Sequence, residues 1–328
     1  MTRLPRRLLL IGVVLTIGGL IGSEVEAQRA GPIKIGALTD SWGVTPGIVG
    51  LRDGLQELGY RENEHFVIGV RFTQGKAAEL PAAARDLVQR GVDIIVTSGG
   101  GQAARAAQMA TKRIPIIFIG GNDPVGSGLV KSFAAPGGNI TGIADLDTDL
   151  VPKRLELFRE LVSRLKRILI VYDVTNPYAV AQVDAHRNGA RSLGLTLVER
   201  PVRTEEEARA AITGIRKQEV DGILAPRLLS LNIPGFVLEA GQTIPTMFQG
   251  GGPFFVERGG LASYSANDEQ SGRQAARLVD RILKGAKPAD LPVEQPMKFD
   301  LVINLKTAKG LGLTIPQSVL LRADRLIQ

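Results

Sequence analysis

The feature that most constrains the fold is an alternation of short apolar runs with longer amphipathic segments, which begins at Ile33. The short runs are rich in Ile, Val and Phe and have the length of buried strands. The longer segments carry apolar residues at helical spacing. Strand–helix–strand units of this kind build parallel sheets with helices on both faces. We therefore expect an α/β fold of doubly wound parallel sheets.

The alternation forms two series, and the second begins after Asp145. The first predicts strands at 33–38, 66–72, 93–97 and 116–119, with helices at 48–58, 76–90 and 102–111. The second predicts helices at 152–163, 178–193, 205–217 and 269–284, with strands at 167–172, 196–202, 222–225, 245–248, 261–265 and 299–304. A chain of 328 residues exceeds one typical domain. We expect two lobes joined by a crossing-strand hinge: residues 31–147 plus about 266–291, and residues 148–265 plus about 292–328.

Composition excludes several classes of protein. Hydrophobic residues make up 44% and charged residues 22%, the balance of a folded globular protein. The net charge of +7 is spread over many segments and aromatic residues are only 5%, so we expect no nucleic-acid partner. The absence of cysteine excludes disulfides, thiolate nucleophiles and cysteine metal sites.

The amino terminus has the pattern of a secretory signal. Three arginines precede the apolar run at 8–21, and Val25 and Ala27 occupy the two positions that a signal peptidase inspects. The run is shorter than the ~20 residues that span a bilayer, which argues against a membrane anchor. We expect a signal peptide at 1–27 that is cleaved after Ala27, no lipid anchor because cysteine is absent, and a periplasmic protein.

Enzyme signatures are absent from the sequence. It contains no G-x-S-x-G, G-x-x-x-x-G-K-[ST] or G-x-G-x-x-G motif. His65 and His186 lie in separate halves, so no local histidine metal cluster is expected, and we predict neither a metal nor a cofactor. Asp145, Asp147 and Asp149 could act as acid and base, but beside a lobe crossing we expect them to contact solvent or a hinge partner. We therefore expect that the protein is not an enzyme.

Candidate ligand-binding residues come from the loops at the carboxyl ends of the predicted strands, where open parallel sheets bind ligands. They are Ser41, Trp42, Thr97, Ser98, Gly99, Asn122, Asp123, Tyr178, Arg227, Gln249 and Asp268.

Each candidate has an alternative role. Backbone amides at 98–101, just before a helix, favour a carboxylate, but the same residues also suit an unliganded helix cap. Asn122 and Asp123 suit an amine or hydroxyl, although Asp before Pro is also a turn starter. Trp42 suits either a stacked ring or packing against its own loop, and Tyr178, Arg227 and Asp268 also suit exposed turns.

A resemblance to a known family enters at residues 122–142, NDPVGSGLVKSFAAPGGNITG. With GLQELGY at 54–60, KRLEL at 153–157, RILKGAKPADLP at 281–292 and FDLVINLKTAK at 299–309, this stretch resembles the ABC transporter substrate-binding family that includes tryptophan- and other aromatic-amino-acid-binding lipoproteins. The resemblance covers nearly the whole chain after the signal. The lipobox cysteine of many relatives is absent, and LASYSAND at 261–268 only approximates the Ser-Tyr-Gly form of the family.

The resemblance implies a type I periplasmic-binding fold that holds a solute between two lobes and delivers it to a membrane permease and its ATPase. We therefore expect a monomeric, extracytoplasmic solute-binding protein for a small organic solute, such as an amino acid. Its carboxylate would bind the amides at 98–101, with Asn122, Asp123 and Asp268 near its amine. A ligand sensor for a membrane signalling partner is the alternative, and an α/β enzyme is a weaker one.

Overall fold

The computed structural model describes residues 31–145, 147–216, 218–226 and 230–328. The predicted signal peptide therefore lies outside the described residues. The described chain forms two sheets, both flanked by helices. We name the five-stranded sheet and its helices the first lobe, and the seven-stranded sheet and its helices the second lobe.

The first lobe has the strand order β2-β1-β3-β4-β5, and all of its neighbouring strands are parallel. Its elements are β1 (Ile33–Thr39), α1 (Pro46–Glu57), β2 (Phe66–Phe72), α2 (Leu80–Gln89), β3 (Ile94–Ser98), α3 (Gly101–Ala110), β4 (Ile116–Asn122), β5 (Ile140–Asp145) and α9 (Asp268–Leu283), with 3-10 turns at Ala77–Glu79 and Pro288–Asp290. The helix predicted at 76–90 thus begins with a 3-10 turn, and β5 was not predicted.

The second lobe has the strand order β12-β11-β10-β9-β8-β6-β7, in which only β10 and β11 are antiparallel neighbours. Its elements are α4 (Val151–Leu161), β6 (Arg167–Asp173), α5 (Pro177–Ser192), β7 (Thr196–Val202), α6 (Glu205–Thr213), β8 (Gly222–Ala225), a 3-10 turn (Ser230–Asn232), α7 (Ile233–Ala240), β9 (Thr246–Phe248), α8 (Gly252–Glu257), β10 (Ala262–Ala266), β11 (Phe299–Asn304), α10 (Leu305–Gly310), α11 (Gln317–Leu320) and β12 (Arg325–Ile327). The α/β class with two parallel-dominated sheets is confirmed.

Alternating residues of the central strands bury both faces of each sheet. In the first lobe, Ile35 and Val96 pack with α1 and α9, while Leu38 and Ile95 pack with α2 and α3. Short polar side chains fix where several helices begin. Thr204 accepts a hydrogen bond from the amide of Glu207, as its position before three glutamates predicts.

The chain passes between the lobes three times. The crossings follow β5, join β10 to α9, and precede β11. The third crossing begins beside β5, where the amide of Glu294 donates to the carbonyl of Gly142 at 2.9 Å and the amide of Ala144 donates to the carbonyl of Glu294 at 2.8 Å. Each lobe is therefore built from segments that are separate in sequence.

Candidate functional site

The loops after the central strands of both lobes line one cleft. The direction in which successive strands are added to the sheet reverses between β1 and β3 in the first lobe and between β6 and β8 in the second. Doubly wound sheets bind ligands at the carboxyl ends of the strands at such a reversal. The cleft has a volume of about 730 Å³, within the usual range for small-molecule pockets. The first lobe contributes Asp40, Gly75, Ala77, Leu80, Pro81, Gly100, Gly101, Gln102, Arg105, Ala106, Met109, Asp123, Gly126, Ser127 and Leu129, and the second contributes Asn176, Pro177, Tyr178, Ala181 and Leu231.

The amino terminus of α3 lies at the wall of the cleft. Its N-cap residue is Gly100, so no side chain accepts hydrogen bonds from the amides of the first turn. Gly99 has a φ of 110°, and a Cβ there would lie 3.1 Å from Oδ1 of Asp40, so the loop requires glycine. Uncapped amides and the helix dipole together favour an anionic group at this end of the cleft.

Two carboxylates share the cleft with these amides. Asp40 follows β1, and burial raises the pKa of its carboxyl above the usual value, while a backbone hydrogen bond opposes the rise. Asp123 has a φ of 38° and accepts a hydrogen bond from the amide of Gly126 at 2.8 Å. It therefore starts the turn, as the Asp-Pro pair predicts, and also lines the cleft. These carboxylates favour a positively charged ligand group.

Arg105 also lines the cleft, although the strand-end loops do not predict it. Its Nη1 donates to the carbonyl of Gly128 at 3.3 Å and its Nη2 to the carbonyl of Ser127, so it supports the loop after β4. Within the described residues no carboxylate forms an ion pair with it. The available signal was periodicity: Gly101, Arg105 and Met109 are spaced along one face of α3.

Much of the remaining wall is apolar. Its apolar side chains are Ala77, Leu80, Pro81, Ala106, Met109, Leu129, Pro177, Ala181 and Leu231. A few charged groups on a largely apolar wall are typical of a site for a small organic molecule.

The second lobe contributes the start of α5. The Oδ1 of Asn176 accepts hydrogen bonds from the amides of Tyr178 and Ala179 at 3.1 and 3.4 Å, so this helix end is capped, unlike that of α3. The hydroxyl of Tyr178 donates to Oδ2 of Asp147 at 3.3 Å and accepts from Nε2 of Gln182 at 2.8 Å. Predicted residue Tyr178 thus lies in the cleft wall with its hydroxyl anchored.

Several predicted residues lie beside the cleft and not in its wall. Thr97 and Ser98 are buried at the end of β3, and Ser98 Oγ lies 2.6 Å from Thr45 Oγ1. The Oγ of Ser41 donates to the carbonyl of Gly43 at 2.5 Å.

Trp42 and Asp268 are also outside the wall. Trp42 is 62% exposed, and its ring lies 3.1 Å from the position of a Cβ on Gly75, so it packs on a residue that does line the cleft. Asp268 is the first residue of α9.

Three predicted residues remain. Gln249 is fully buried; its Nε2 lies 2.8 Å from Nε2 of His186, and its carbonyl accepts from Arg154. The backbone of Asn122 ends β4. Arg227 lies outside the described residues.

Sequence comparison decides the family. A family model described as "ABC transporter substrate binding protein" matches residues 38–327. The chain belongs to this family. The cleft between two α/β lobes is therefore the candidate solute site of a substrate-binding protein.

Relatives agree with this assignment. The substrate-binding protein is 28% identical over 292 residues to a tyrosine-binding protein of Clostridioides difficile, covering 88% of this chain and 83% of that one. A structure from Streptococcus pneumoniae in complex with L-Trp is 31% identical, with a TM-score of 0.80, covering 90% of this chain and 100% of that chain. A conserved domain protein of Vibrio cholerae is 32% identical, with a TM-score of 0.79 and coverage of 90% and 99%.

The family and these structures confirm the type I periplasmic-binding fold that the resemblance implied, and they support a solute-binding protein over an enzyme. Within the described residues, no helix is both long and apolar enough to cross a membrane. The same residues contain no group of three or more His, Asp or Glu side chains placed to hold a metal ion.

Proposed function

We propose that this substrate-binding protein captures an L-amino acid with an apolar or aromatic side chain. The observation that carries the proposal is the convergence of the uncapped amides of α3 with Asp40 and Asp123 in one largely apolar cleft. The amides at Gly100 and Gly101 would receive the α-carboxylate, and the two aspartates the α-ammonium. The tyrosine-binding relative and the L-Trp complex support this class of ligand.

Calorimetry with paired ligands tests the proposal. We expect L-tyrosine, L-tryptophan or L-phenylalanine to bind. Analogues of the ligand that lack its α-ammonium or its α-carboxylate should bind more weakly. For L-tyrosine the matched compounds are 3-(4-hydroxyphenyl)propionate, which lacks the ammonium, and tyramine, which lacks the carboxylate. Loss of a hydrogen bond to a charged group predicts weakening of roughly 10- to 100-fold. Equal binding of all three compounds, or no binding of any amino acid, would contradict the proposal.

Variants assign the carboxylates. Asp40→Asn and Asp123→Asn should each weaken amino-acid binding while leaving the binding of 3-(4-hydroxyphenyl)propionate nearly unchanged, because that compound carries no cation. Asp184→Asn is the matched control, since that side chain is 71% exposed on α5 and does not line the cleft. Equal losses for both ligands would argue against an ammonium at these carboxylates.

We further propose that the protein is exported to the periplasm, with cleavage after Ala27, and that it delivers its ligand to an ABC permease and its ATPase. Family membership and the pattern of residues 1–27 support this. Mass spectrometry of the protein from the periplasmic fraction should give an amino terminus at Gln28. Deletion of the gene should lower uptake of the labelled ligand into cells, and unchanged uptake would argue against delivery.

A further inference from the structure

A buried polar network lies behind the cleft wall of the second lobe. Its centre is the ion pair of Arg154 with Asp147, in which both side chains are 1% exposed. The guanidinium also donates to the carbonyls of Asp147, Tyr264 and Gln249 at 2.8, 2.7 and 3.2 Å. These acceptors belong to the first lobe crossing, to β10 just before the second crossing, and to the loop after β9.

The network reaches the cleft through Tyr178. One carboxylate oxygen of Asp147 binds Arg154, and the other accepts hydrogen bonds from the Tyr178 hydroxyl and from Nε2 of Gln182. That same Nε2 donates to the Tyr178 hydroxyl at 2.8 Å. The ring of Tyr178 is thus held at its far end by two groups that do not line the cleft.

We propose that Asp147 and Gln182 are positioning residues for ligand binding: they fix the Tyr178 ring in the cleft wall and, through Arg154, join it to two of the three lobe crossings. The inference rests on the proposed function, because the ring matters only if the cleft holds the solute. Asp147 and Gln182 are both buried and do not line the cleft, so they act on a ligand through Tyr178.

A double-mutant cycle on Tyr178 and Gln182 tests the inference without breaking the ion pair. Tyr178→Phe removes only the hydroxyl, and Gln182→Met removes the amide while keeping a long side chain. Loss of one hydrogen bond that orients the ring predicts affinity for L-tyrosine or L-tryptophan reduced about 3- to 10-fold in each single variant. Both single variants release the Tyr178 ring from the same hydrogen bond. The affinity of the double variant should therefore be no lower than that of the single variant with the lower affinity.

Ser192→Ala is the matched control, since it removes a side-chain hydrogen bond from the other end of α5, where Ser192 Oγ donates to the carbonyl of Gly189 at 2.9 Å. It should leave affinity unchanged. A merely structural role for Gln182 would lower the melting temperature and leave the affinity of the folded protein as it is. That outcome, or fully additive losses in the double variant, would overturn the inference.

A readout without ligand separates this inference from the proposed function. The chain has four tyrosines, so NMR spectra of ring-labelled protein contain few signals, and Tyr178→Phe assigns one of them. In Gln182→Met we expect this signal to shift and show greater ring mobility, while Ser192→Ala leaves it unchanged. An unaltered Tyr178 signal in Gln182→Met would overturn the positioning role even if amino acids bind. Failure of the wild type to bind any amino acid would count against the proposed function alone.

Discussion

One pair of helices in each lobe shows a difference: the pair in the first lobe is in close backbone contact, and the pair in the second lobe surrounds a buried ion pair. In the first lobe, α1 and α9 touch through backbone, because a Cβ on Gly50 would lie 1.9 Å from the carbonyl oxygen of Glu269, and one on Gly272 would lie 2.1 Å from that of Gly47. In the second lobe, α4 and α5 pack through apolar side chains such as Leu155 and Ala190. They are also joined to the lobe crossings by buried polar groups, because Arg154 on α4 pairs with Asp147 and Gln182 on α5 donates to the same carboxylate.

The difference teaches which changes each contact tolerates. The helix pair of the first lobe also carries ion pairs of Arg273 with Asp53 and Glu57, but none of these side chains is fully buried. Its backbone contact is uncharged and has no room for added atoms. In the polar network of the second lobe, Arg154 and Asp147 compensate each other's charge. Removing either side chain leaves the other as an uncompensated buried charge. The first lobe should therefore be sensitive to substitutions that add atoms at the helix contact. The second lobe should be sensitive to substitutions that remove a buried charged or hydrogen-bonding group.

The largest loss of stability should come from removing one partner of the buried ion pair. Asp147→Ala leaves Arg154 buried without its counter-charge and should lower the free energy of unfolding by about 3–5 kcal/mol, measured by urea denaturation. The paired change Asp147→Leu with Arg154→Met should recover much of the loss, because it removes both charges. Glu156→Ala, which breaks an exposed pair with Lys153 on the same helix, is the control and should cost less than about 1 kcal/mol. Similar losses in Asp147→Ala and Glu156→Ala would refute the comparison.

The next largest loss of stability should come from adding a side-chain atom at the backbone contact of α1 and α9. Gly50→Ala places a methyl group against the backbone of α9, which cannot move like a flexible side chain, and should cost up to about 3 kcal/mol of unfolding free energy. Gly310→Ala at the end of α10 has no heavy atom within 4 Å of the new Cβ and should be nearly neutral. If both variants unfold at the same denaturant concentration, the two helices are free to separate.

The framework was largely predictable from sequence because strand length and helix periodicity are local signals. β2, β7, β8 and β11 have the predicted bounds. β5 was missed because its run ITGIAD mixes apolar with small residues and is fixed as a strand only by pairing with β4. Gly142 shows why a small residue is needed there, since a Cβ would lie 2.2 Å from the carbonyl oxygen of Phe118.

The site was predictable only in part. Strand-end logic found the loops that hold Gly99, Asp123 and Tyr178, because topology fixes where such loops meet. It did not find Arg105, which reaches the cleft from the second turn of α3, and it placed Gln249 in the site although that side chain is buried against His186. Such differences depend on helix tilt and on tertiary hydrogen bonds, which have no local sequence signal.

Acid should weaken the second lobe through His186. Burial, the largest cause, lowers the pKa of this imidazole to about 4, despite an opposing hydrogen bond to the carbonyl of Gln182. Between the ordinary value of 6.5 and about 4, the unfolded chain binds the proton and the folded chain does not, so stability is complete above pH 6.5 and falls as the pH drops. From pH 7 to pH 5 this amounts to about 2 kcal/mol.

Denaturation of His186→Gln at both pH values checks this, because the variant should lose that part of the pH dependence. Ser192→Ala, which removes a hydroxyl from the other end of α5 and leaves both histidines in place, is the control and should keep the wild-type slope. A slope in His186→Gln equal to that of the wild type would show that other groups cause the acid sensitivity.

The smallest loss of stability is expected for a tyrosine hydroxyl in the first lobe, and it tests whether only the second lobe's tyrosine affects ligand affinity. The hydroxyl of Tyr60, which follows α1, donates to Oδ1 of Asp280 on α9 at 2.9 Å, so Tyr60→Phe removes a tyrosine–aspartate hydrogen bond in the first lobe as Tyr178→Phe does in the second. Its stability cost should be about 1 kcal/mol, since the backbone contact still holds the helices. Ligand affinity should be unchanged, because neither Tyr60 nor Asp280 lines the cleft. Denaturation and calorimetry on the two variants measure both quantities, and a loss of affinity in Tyr60→Phe matching that in Tyr178→Phe would mean that general loosening, and not ring position, governs binding.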